Sequence, residues 1–368
     1  MLSTTKGVYE MGVYKRLARK LDELPEGFPA TESGVEFKIL RKIFTPEEAE
    51  MALRLTAVPE TAEAIAKRLG KPVEKMRAIL DDMAGKGQIG SLKMAGQQVY
   101  KLVPFIVGIY ELQRGERLTK ELAELFEEYL PILTKKVGGH KPHLTRVIPI
   151  NVQIQTDLQV LQREGIRQLI QQAKSFRVQE CICRREKALI GKGCKHTLKN
   201  CVQYSMEEDA YDYFKLDGDI ITRDEVLKIM DEAEKEGLVH CTYNVEKAVA
   251  GFLCNCCPCS CGLLRAVKEF NAPYTLAKSN YVANIDQNTC LACGVCKDER
   301  CPMDAITEDD GRYHVLDKRC IGCGVCVITC SSESIKLVER PELDRDEIVQ
   351  DMVEWGRRRL AERGRHVH

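Results

Sequence analysis

Apolar positions recur at helical spacing through much of the first half of the chain. Thr45-Pro46-Glu47-Glu48 predicts a helix start, with Thr as cap and Pro in the first turn. Thr61-Ala62-Glu63-Ala64-Ile65-Ala66 opens a short helix that stops at Gly70. After Lys71-Pro72, the residues Val73, Met76, Ile79, Leu80 and Met83 fall on one helical face. The Gly85/Gly87 pair then releases the chain into two short strand-like runs, Ile89 to Lys93 and Gln98 to Val103, turning at Ala95-Gly96. Further helices are predicted over Leu118 to Tyr129, Leu158 to Ala173, Asp224 to Glu236 (ended by Gly237) and Asp344 to Ala361. The last has Ile348, Met352, Trp355 and Leu360 as its apolar side. Val147-Ile148-Pro149-Ile150-Asn151-Val152 reads as a strand or extended connection.

Helix, turn, helix and hairpin is the element order of a winged helix, so residues 31–110 are expected to form a winged-helix-like unit. DNA binding requires a net basic face. Between Thr45 and Val103 nine Lys/Arg stand against eight Asp/Glu, and the second helix carries Glu74, Asp81 and Asp82 beside Lys75 and Arg77. The whole chain is equally balanced, with 55 basic and 55 acidic residues among 368. Nucleic acid is therefore not the expected partner, and a redox-sensing winged-helix regulator is the third-ranked reading.

Composition changes the picture through cysteine. All 18 cysteines lie between Cys181 and Cys330, and residues 1–180 contain none. Met1 to Glu10 has no apolar core of signal-peptide length, and no later stretch approaches 18 apolar residues. The expectation is a cytoplasmic chain without a membrane span, where structural disulfides are rare and cysteine serves metal.

Cys290, Cys293 and Cys296, then Cys301-Pro302, are followed by Cys320, Cys323 and Cys326, then Cys330. The flanks repeat as well: Ile285-Asp286 with Leu316-Asp317, and Ala305-Ile306 with Ser334-Ile335. Structural zinc uses two Cys-x-x-Cys pairs. A tandem triplet with a remote fourth cysteine is instead the pattern that holds three irons of one cluster and sends the last ligand to its neighbour. Gly294, Gly322 and Gly324 lie where the backbone turns in towards sulfur.

This part of the sequence resembles the two-cluster bacterial ferredoxins. The resemblance implies that Cys290, Cys293, Cys296 and Cys330 hold one [4Fe–4S] cluster, and that Cys320, Cys323, Cys326 and Cys301 hold a second. Two departures are the four-residue gap from Cys296 to Cys301, one longer than usual, and Ser331 where Pro commonly follows the last cysteine. Both bear on loop geometry and potential.

Ten cysteines remain. Cys181, Cys183, Cys194 and Cys201 form one group, and Cys254, Cys256, Cys257, Cys259 and Cys261 another. An extended Arg177 to Cys183 would place Cys181 and Cys183 on one face. Cys256 and Cys257 would point apart. A helix over Gly262 to Phe270 would put Cys259 and Cys261 at its positive end, favouring thiolate. Arg184, Arg185, Lys192 and Lys195 are candidates to neutralise an anionic cluster. One or more additional iron–sulfur clusters are expected here, while Cys241 reads as a buried small hydrophobe. From about residue 145 the chain is similar to a group of anaerobe ferredoxin-domain proteins, through Cys181 to Arg184, Gly193-Cys194, Cys201, Gly237 to His240 and Cys254 to Cys257. That resemblance implies an iron–sulfur subunit of anaerobic redox metabolism.

The expected fold is α+β and multidomain: an N-terminal segment (1–30), the winged-helix-like unit (31–110), a helical connector (111–175), a Cys-rich metal-binding domain (176–279), a ferredoxin-like two-cluster module (280–340) and a C-terminal helix (341–368). The expected function is electron transfer. The chain would act as a carrier or wiring subunit for a partner oxidoreductase or larger complex, since no Rossmann, Walker A or nucleophile-elbow motif is present. The second-ranked reading is a reductase with a substrate-binding cluster in 181–261, using His196 or His240 as proton source. Leu118 to Tyr129 and the last helix are candidate docking surfaces, with core packing the default. Lys135-Lys136 and Arg357 to Arg359 read as solvated surface. His140, His143, His366 and His368 are not expected to be ligands.

Overall fold

The computed structural model describes residues 2–150, 166–212 and 218–365. It is a mixed helix and sheet protein. The N-terminal part begins with helices α1 (Leu2–Asp22), α2 (Val35–Ile43) and α3 (Pro46–Ala52). Thr45 caps α3 through a capping box with Glu48, as its sequence predicts. Strand β1 (Glu60–Thr61), helices α4 (Ala62–Leu69) and α5 (Val73–Gly85), and hairpin β2 (Gly90–Met94) and β3 (Gln97–Lys101) follow in that order. Thr61 caps α4, and Gly70 ends it in the left-handed conformation. Ala95 and Gly96, both at positive φ, make the tight hairpin turn. β1 joins the hairpin as a third strand.

After the short turn α6 (Tyr110–Leu112), helix α7 runs over Lys120–Val137. It is longer than the predicted Leu118 to Tyr129 because Thr119 is the cap and the chain continues through Pro131. Leu122, Phe126, Tyr129, Leu133 and Val137 on α7 are buried in the core shared with α1 to α5. The helix therefore packs inward rather than offering an apolar docking face.

A seven-stranded sheet forms the middle of the molecule. Its strands are β4 (Thr145–Ile148), β5 (Ser175–Glu180), β6 (Lys199–Ser205), β7 (Asp219–Ile221), β8 (Val239–Tyr243), β10 (Ala250–Cys256) and β11 (Leu276–Ala277), in the order β11-β4-β8-β10-β6-β5-β7. Between β8 and β10 lies the short strand β9 (Val245–Lys247). All neighbours are antiparallel except β11 and β4. Helices α8 (Ile166–Gln172) and α10 (Arg223–Glu236) cover one face through Ile166, Ile170, Val226 and Met230. Residues 158–165 of the predicted helix, and Asn151 and Val152 of the predicted extended run, lie outside the described residues, as do His366 and His368. Helices α9 (Ile182–Leu189) and α11 (Gly262–Lys268) connect the strands and meet α7.

The C-terminal module pairs β12 (Tyr281–Ile285) with β15 (Ile335–Glu339) and forms a hairpin of β13 (Ile306–Asp309) and β14 (Arg312–Val315). Its core is continuous with the middle sheet. Cys320, Ile321, Cys323, Val325 and Cys326 share one apolar cluster with Val147, Val239, Cys241, Cys256, Cys261 and Leu264. The Ile150 amide also donates to the Cys323 carbonyl at 3.0 Å.

The chain end departs from the predicted Asp344 to Ala361 helix. Val349–Asp351 is a strand, β16, parallel to β9, and helix α12 begins only at Met352 and runs to Glu362. The Asp351 carboxylate accepts from the amides of Val353 and Glu354, so it caps the helix there. Trp355 is buried and donates from Nε1 to the His143 carbonyl at 2.8 Å. Arg359 is not solvated surface: it is fully buried and donates to the carbonyls of Pro25, Val137, His140 and Pro142. The last helix therefore clamps the N-terminal core instead of presenting a free apolar face. Among the described residues no helix is long and apolar enough to cross a membrane.

Candidate metal centres

The ferredoxin-type cysteines surround two hollows. One is lined by Cys301, Cys320, Cys323 and Cys326, with Pro302, Met303, Ile306 and Leu337 as apolar walls. The other is lined by Cys290, Cys293, Cys296 and Cys330, and Cys326 touches it from the first. Each hollow thus takes three cysteines from one triplet and its remote cysteine from the other half. The local backbone explains why sulfur can converge. Gly322, Gly294 and Gly324 all have positive φ, and a Cβ on Gly322 would stand 2.1 Å from the Tyr281 carbonyl oxygen. Ala292 holds the equivalent place in the first triplet, also at positive φ.

The two hollows differ in exposure. Cys320, Cys323 and Cys326 are buried, whereas Cys293 is exposed beside Leu291, which is 70% exposed. Burial pushes the Cys323 thiol up to about 12, and burial with crowding by neighbouring thiols drives Cys326 well up too. At Cys330 burial acts upward too, but hydrogen bonds from Ser332 and the backbone amides outweigh it and lower the thiol. Four sulfurs pressed together in an apolar wall ionise only against compensating positive charge, which is what the irons of a cluster supply when bound.

The remaining cysteines divide into two groups. In the first, the thiols act on one another as electrostatic neighbours: Cys181 with Cys183, Cys183 with Cys261, and Cys256 with Cys241, Cys254 and Cys261. Cys254 and Cys201 act first on each other and move in opposite directions, Cys201 downward and Cys254 upward. These residues are mounted on rigid elements. Cys254 and Cys256 lie on β10, Cys201 on β6, and Cys241 on β8 directly opposite Cys254. Cys181 is the cap of α9 and Cys183 sits in its first turn. The expected extended run stops at Glu180, so strand alternation does not set these two thiols on one face. The second group is Cys194, Cys257 and Cys259, whose sulfurs lie within 4.8 Å of one another. Cys256 and Cys257 do part company, as their alternation on an extended chain implies.

Cys241, read as a buried small hydrophobe, is fully buried in the apolar cluster that also holds Val239 and Cys256. Its position directly after buried Leu238, Val239 and His240 on a β-run was the available signal. Of the four basic residues expected near the cysteines, only Arg184 takes that role. It is buried, donates to the Asn255 carbonyl at 2.9 Å and to Asn200, and its charge acts on Cys181 and Cys257. Arg185 pairs with Glu180, and Lys192 and Lys195 are exposed. Arg114, which the sequence did not single out, acts electrostatically on Cys201 from the N-terminal side. Arg184 Nε, Asn200 Nδ2 and Arg114 Nη2 are buried without an acceptor. Donors stranded around a ring of thiols fit the bridging sulfides of an iron–sulfur cluster, which accept such bonds.

The helix-end argument for thiolate fails at Cys261 and Cys259. Cys183 acts downward on Cys261, but Cys256 and burial outweigh it and drive the thiol well up, and burial takes Cys259 to about 12. Seven residues of helix do not outweigh that environment. His240 is buried, its Nδ1 2.7 Å from Asn255 Oδ1, and His196 lies 3.4 Å from Glu236; neither faces the first group as a free proton donor. His143 meets the Tyr274 ring edge-on and stands 3.7 Å from Asp346, while His140 offers its carbonyl to Arg359.

Beside the first group lies a cavity of about 310 Å³. Cys181, Cys183, Cys201 and Cys254 form one wall, and Glu26, Lys101 and Glu111 from the N-terminal part face them. Burial raises Glu111 to about 8 and Glu26 to about 7. Elsewhere in the N-terminal unit three basic side chains are paired: Arg77 with Glu63, Arg68 with Glu60 at 2.6 Å and Lys86 with Glu48 at 2.7 Å.

Residues 283–331 match the 4Fe-4S dicluster domain family. The chain is 30% identical over 96 residues to electron transport protein HydN of Escherichia coli K12, covering 24% of this chain and 55% of that one. It is 34% identical over 80 residues to a probable iron-sulfur subunit from the Frd operon of Proteus vulgaris, covering 21% and 51%. It is 26% identical over 87 residues to an iron-sulfur protein of Rhodospirillum rubrum, covering 21% and 46%. The chain thus spans about half the length of the curated relatives it matches, and no solved structure matches it. Its C-terminal part is a 4Fe-4S ferredoxin-type domain.

Proposed function

We propose that the chain is an electron relay with two [4Fe–4S] centres in the C-terminal module and a third iron–sulfur centre on the first thiol group of the middle sheet. The supporting observation is the apolar core that joins Cys320, Cys323 and Cys326 to Cys241, Cys256 and Cys261 without a break. When bound, the clusters supply one-electron chemistry that needs no protein acid or base. The chain's own residues hold them at graded depth. Cys290, Cys293, Cys296 and Cys330 ring the outer hollow, where exposed Leu291 and Cys293 suit docking of a redox partner. Cys301, Cys320, Cys323 and Cys326 ring the inner one, and Cys326 lines both. Arg184 and Arg114 counter the negative charge of the third. In this reading residues 1–30, 31–110, 111–175, 176–279, 280–340 and 341–368 are the structural units, and the 31–110 unit is a winged helix used for protein contact.

The test is anaerobic purification, with iron and acid-labile sulfide per chain and EPR of the dithionite-reduced protein. About twelve irons and a signal from interacting reduced cubanes are expected. Folded, colourless, iron-free protein overturns the reading.

A catalytic second reading is favoured by the cavity against Cys181, Cys183, Cys201 and Cys254. Glu111, raised by burial to about 8, and Glu26, raised to about 7, would deliver protons there to a small acceptor being reduced. An EPR signal of the reduced protein that shifts on adding such an acceptor, and does not shift in Glu111→Gln, would select it.

A further inference from the structure

We propose that Cys194, Cys257 and Cys259 bind a single zinc ion, separate from every iron–sulfur centre of the chain. The inference rests on sulfur spacing. Tetrahedral zinc holds thiolate at about 2.3 Å, which places two sulfurs on one ion about 3.8 Å apart. Cys194 Sγ and Cys257 Sγ are 3.9 Å apart, and the three sulfurs all lie within 4.8 Å of one another. Thiolates on a cubane sit on different irons at its outer corners and stand further apart. The molecule supplies its own comparison: among the described residues, none of the ferredoxin-type cysteines forms so tight a trio.

The location fits a staple. Cys194 lies in the irregular loop between α9 and β6, and Cys257 and Cys259 in the turn between β10 and α11. The Cys194 loop is tied to its surroundings mainly by Thr197, whose amide donates to Glu236 at 2.9 Å. An ion shared by both loops would fix it against α10 and hold Cys257 beside Arg184. Three protein ligands leave a fourth position. Cys259 is exposed, so water reaches that position, and the Ser260 hydroxyl, 3.6 Å from Cys194 Sγ, stands next to it. His196 is turned to Glu236 and is not part of the trio.

The test uses the full chain, purified anaerobically from zinc-supplemented medium, with all metals and acid-labile sulfide measured together. About one zinc per chain is expected beside the iron. Cys194→Ser and Cys259→Ser should each lower zinc about tenfold or more while iron and sulfide stay unchanged. Should the variants fail to fold, X-ray absorption at the zinc edge of the unaltered chain decides: three sulfurs and one lighter atom support the site, and any other first shell refutes it. Zinc-free native protein overturns the proposal. So does zinc that persists in both variants, or a Cys194→Ser chain that loses about four irons with their sulfide.

Discussion

Cys256 and Cys257, adjacent in the chain, serve different thiol groups. Cys256 ends β10 and acts on the thiols of Cys241, Cys254 and Cys261, while Cys257 begins the following turn and lies 3.9 Å from Cys194. The alternation of an extended backbone separates them. Between the two groups stands Arg184, hydrogen-bonded to the Asn255 carbonyl and acting through its charge on Cys181 and Cys257.

That position makes Arg184→Gln informative. Removing a buried cation beside an anionic centre should lower the midpoint potential of the middle cluster by about 50 mV, since 59 mV is a tenfold change for one electron. EPR-monitored redox titration reads this directly. The signals of the C-terminal module should not move, and a uniform shift of all signals would count against the assignment.

The two triplets should respond unequally to a methyl group. Gly322→Ala places Cβ against the Tyr281 carbonyl at positive φ, and should cost about 3 kcal/mol or more and empty the inner hollow of iron. The converse change at the equivalent place, Ala292→Gly, relieves a left-handed alanine and should alter stability by less than about 1 kcal/mol. Iron per chain and thermal denaturation of both variants check the contrast.

Glu26 should give stability a pH dependence. Its carboxyl is raised from 4.5 to about 7, first by burial. A raised carboxyl favours the folded state when protonated, so its contribution is fully present below about pH 4.5. It is lost as pH climbs towards 7, about 3 kcal/mol in all. Glu26→Gln should flatten the stability profile across that window, measured by denaturant unfolding. An unchanged slope would show that another group carries it.

Arg359→Met should lower stability by about 3 kcal/mol or more, because four carbonyls lose a buried charged donor. The EPR signals of the C-terminal module should survive, since the contacts of Arg359 are all with the N-terminal part and the residues after α7. A variant with wild-type melting but impaired electron delivery would restore the docking role to α12.

Much of this was legible in sequence where local physics decides. Thr45, Thr61 and Gly70 bound their helices through caps and left-handed glycine, and the repeated triplets announced the two hollows. The misses come from long-range partners. Arg359 looked solvated because its four acceptors lie over 200 residues away or at the other end of the chain. Arg114 had no local mark, since its thiol partner Cys201 belongs to another part of the chain. The end of the last helix was right and its start was wrong, because pairing of β16 with β9 claims residues whose apolar spacing also suits a helix.

The placement of Cys241, Cys254 and Cys201 on three neighbouring strands of one hydrogen-bonded sheet has a kinetic corollary. Such a scaffold resists rearrangement when its metal gains or loses charge. A centre carried there would keep nearly the same shape in both oxidation states, and its exchange rate would then be governed by separation and driving force rather than by reshaping of the protein.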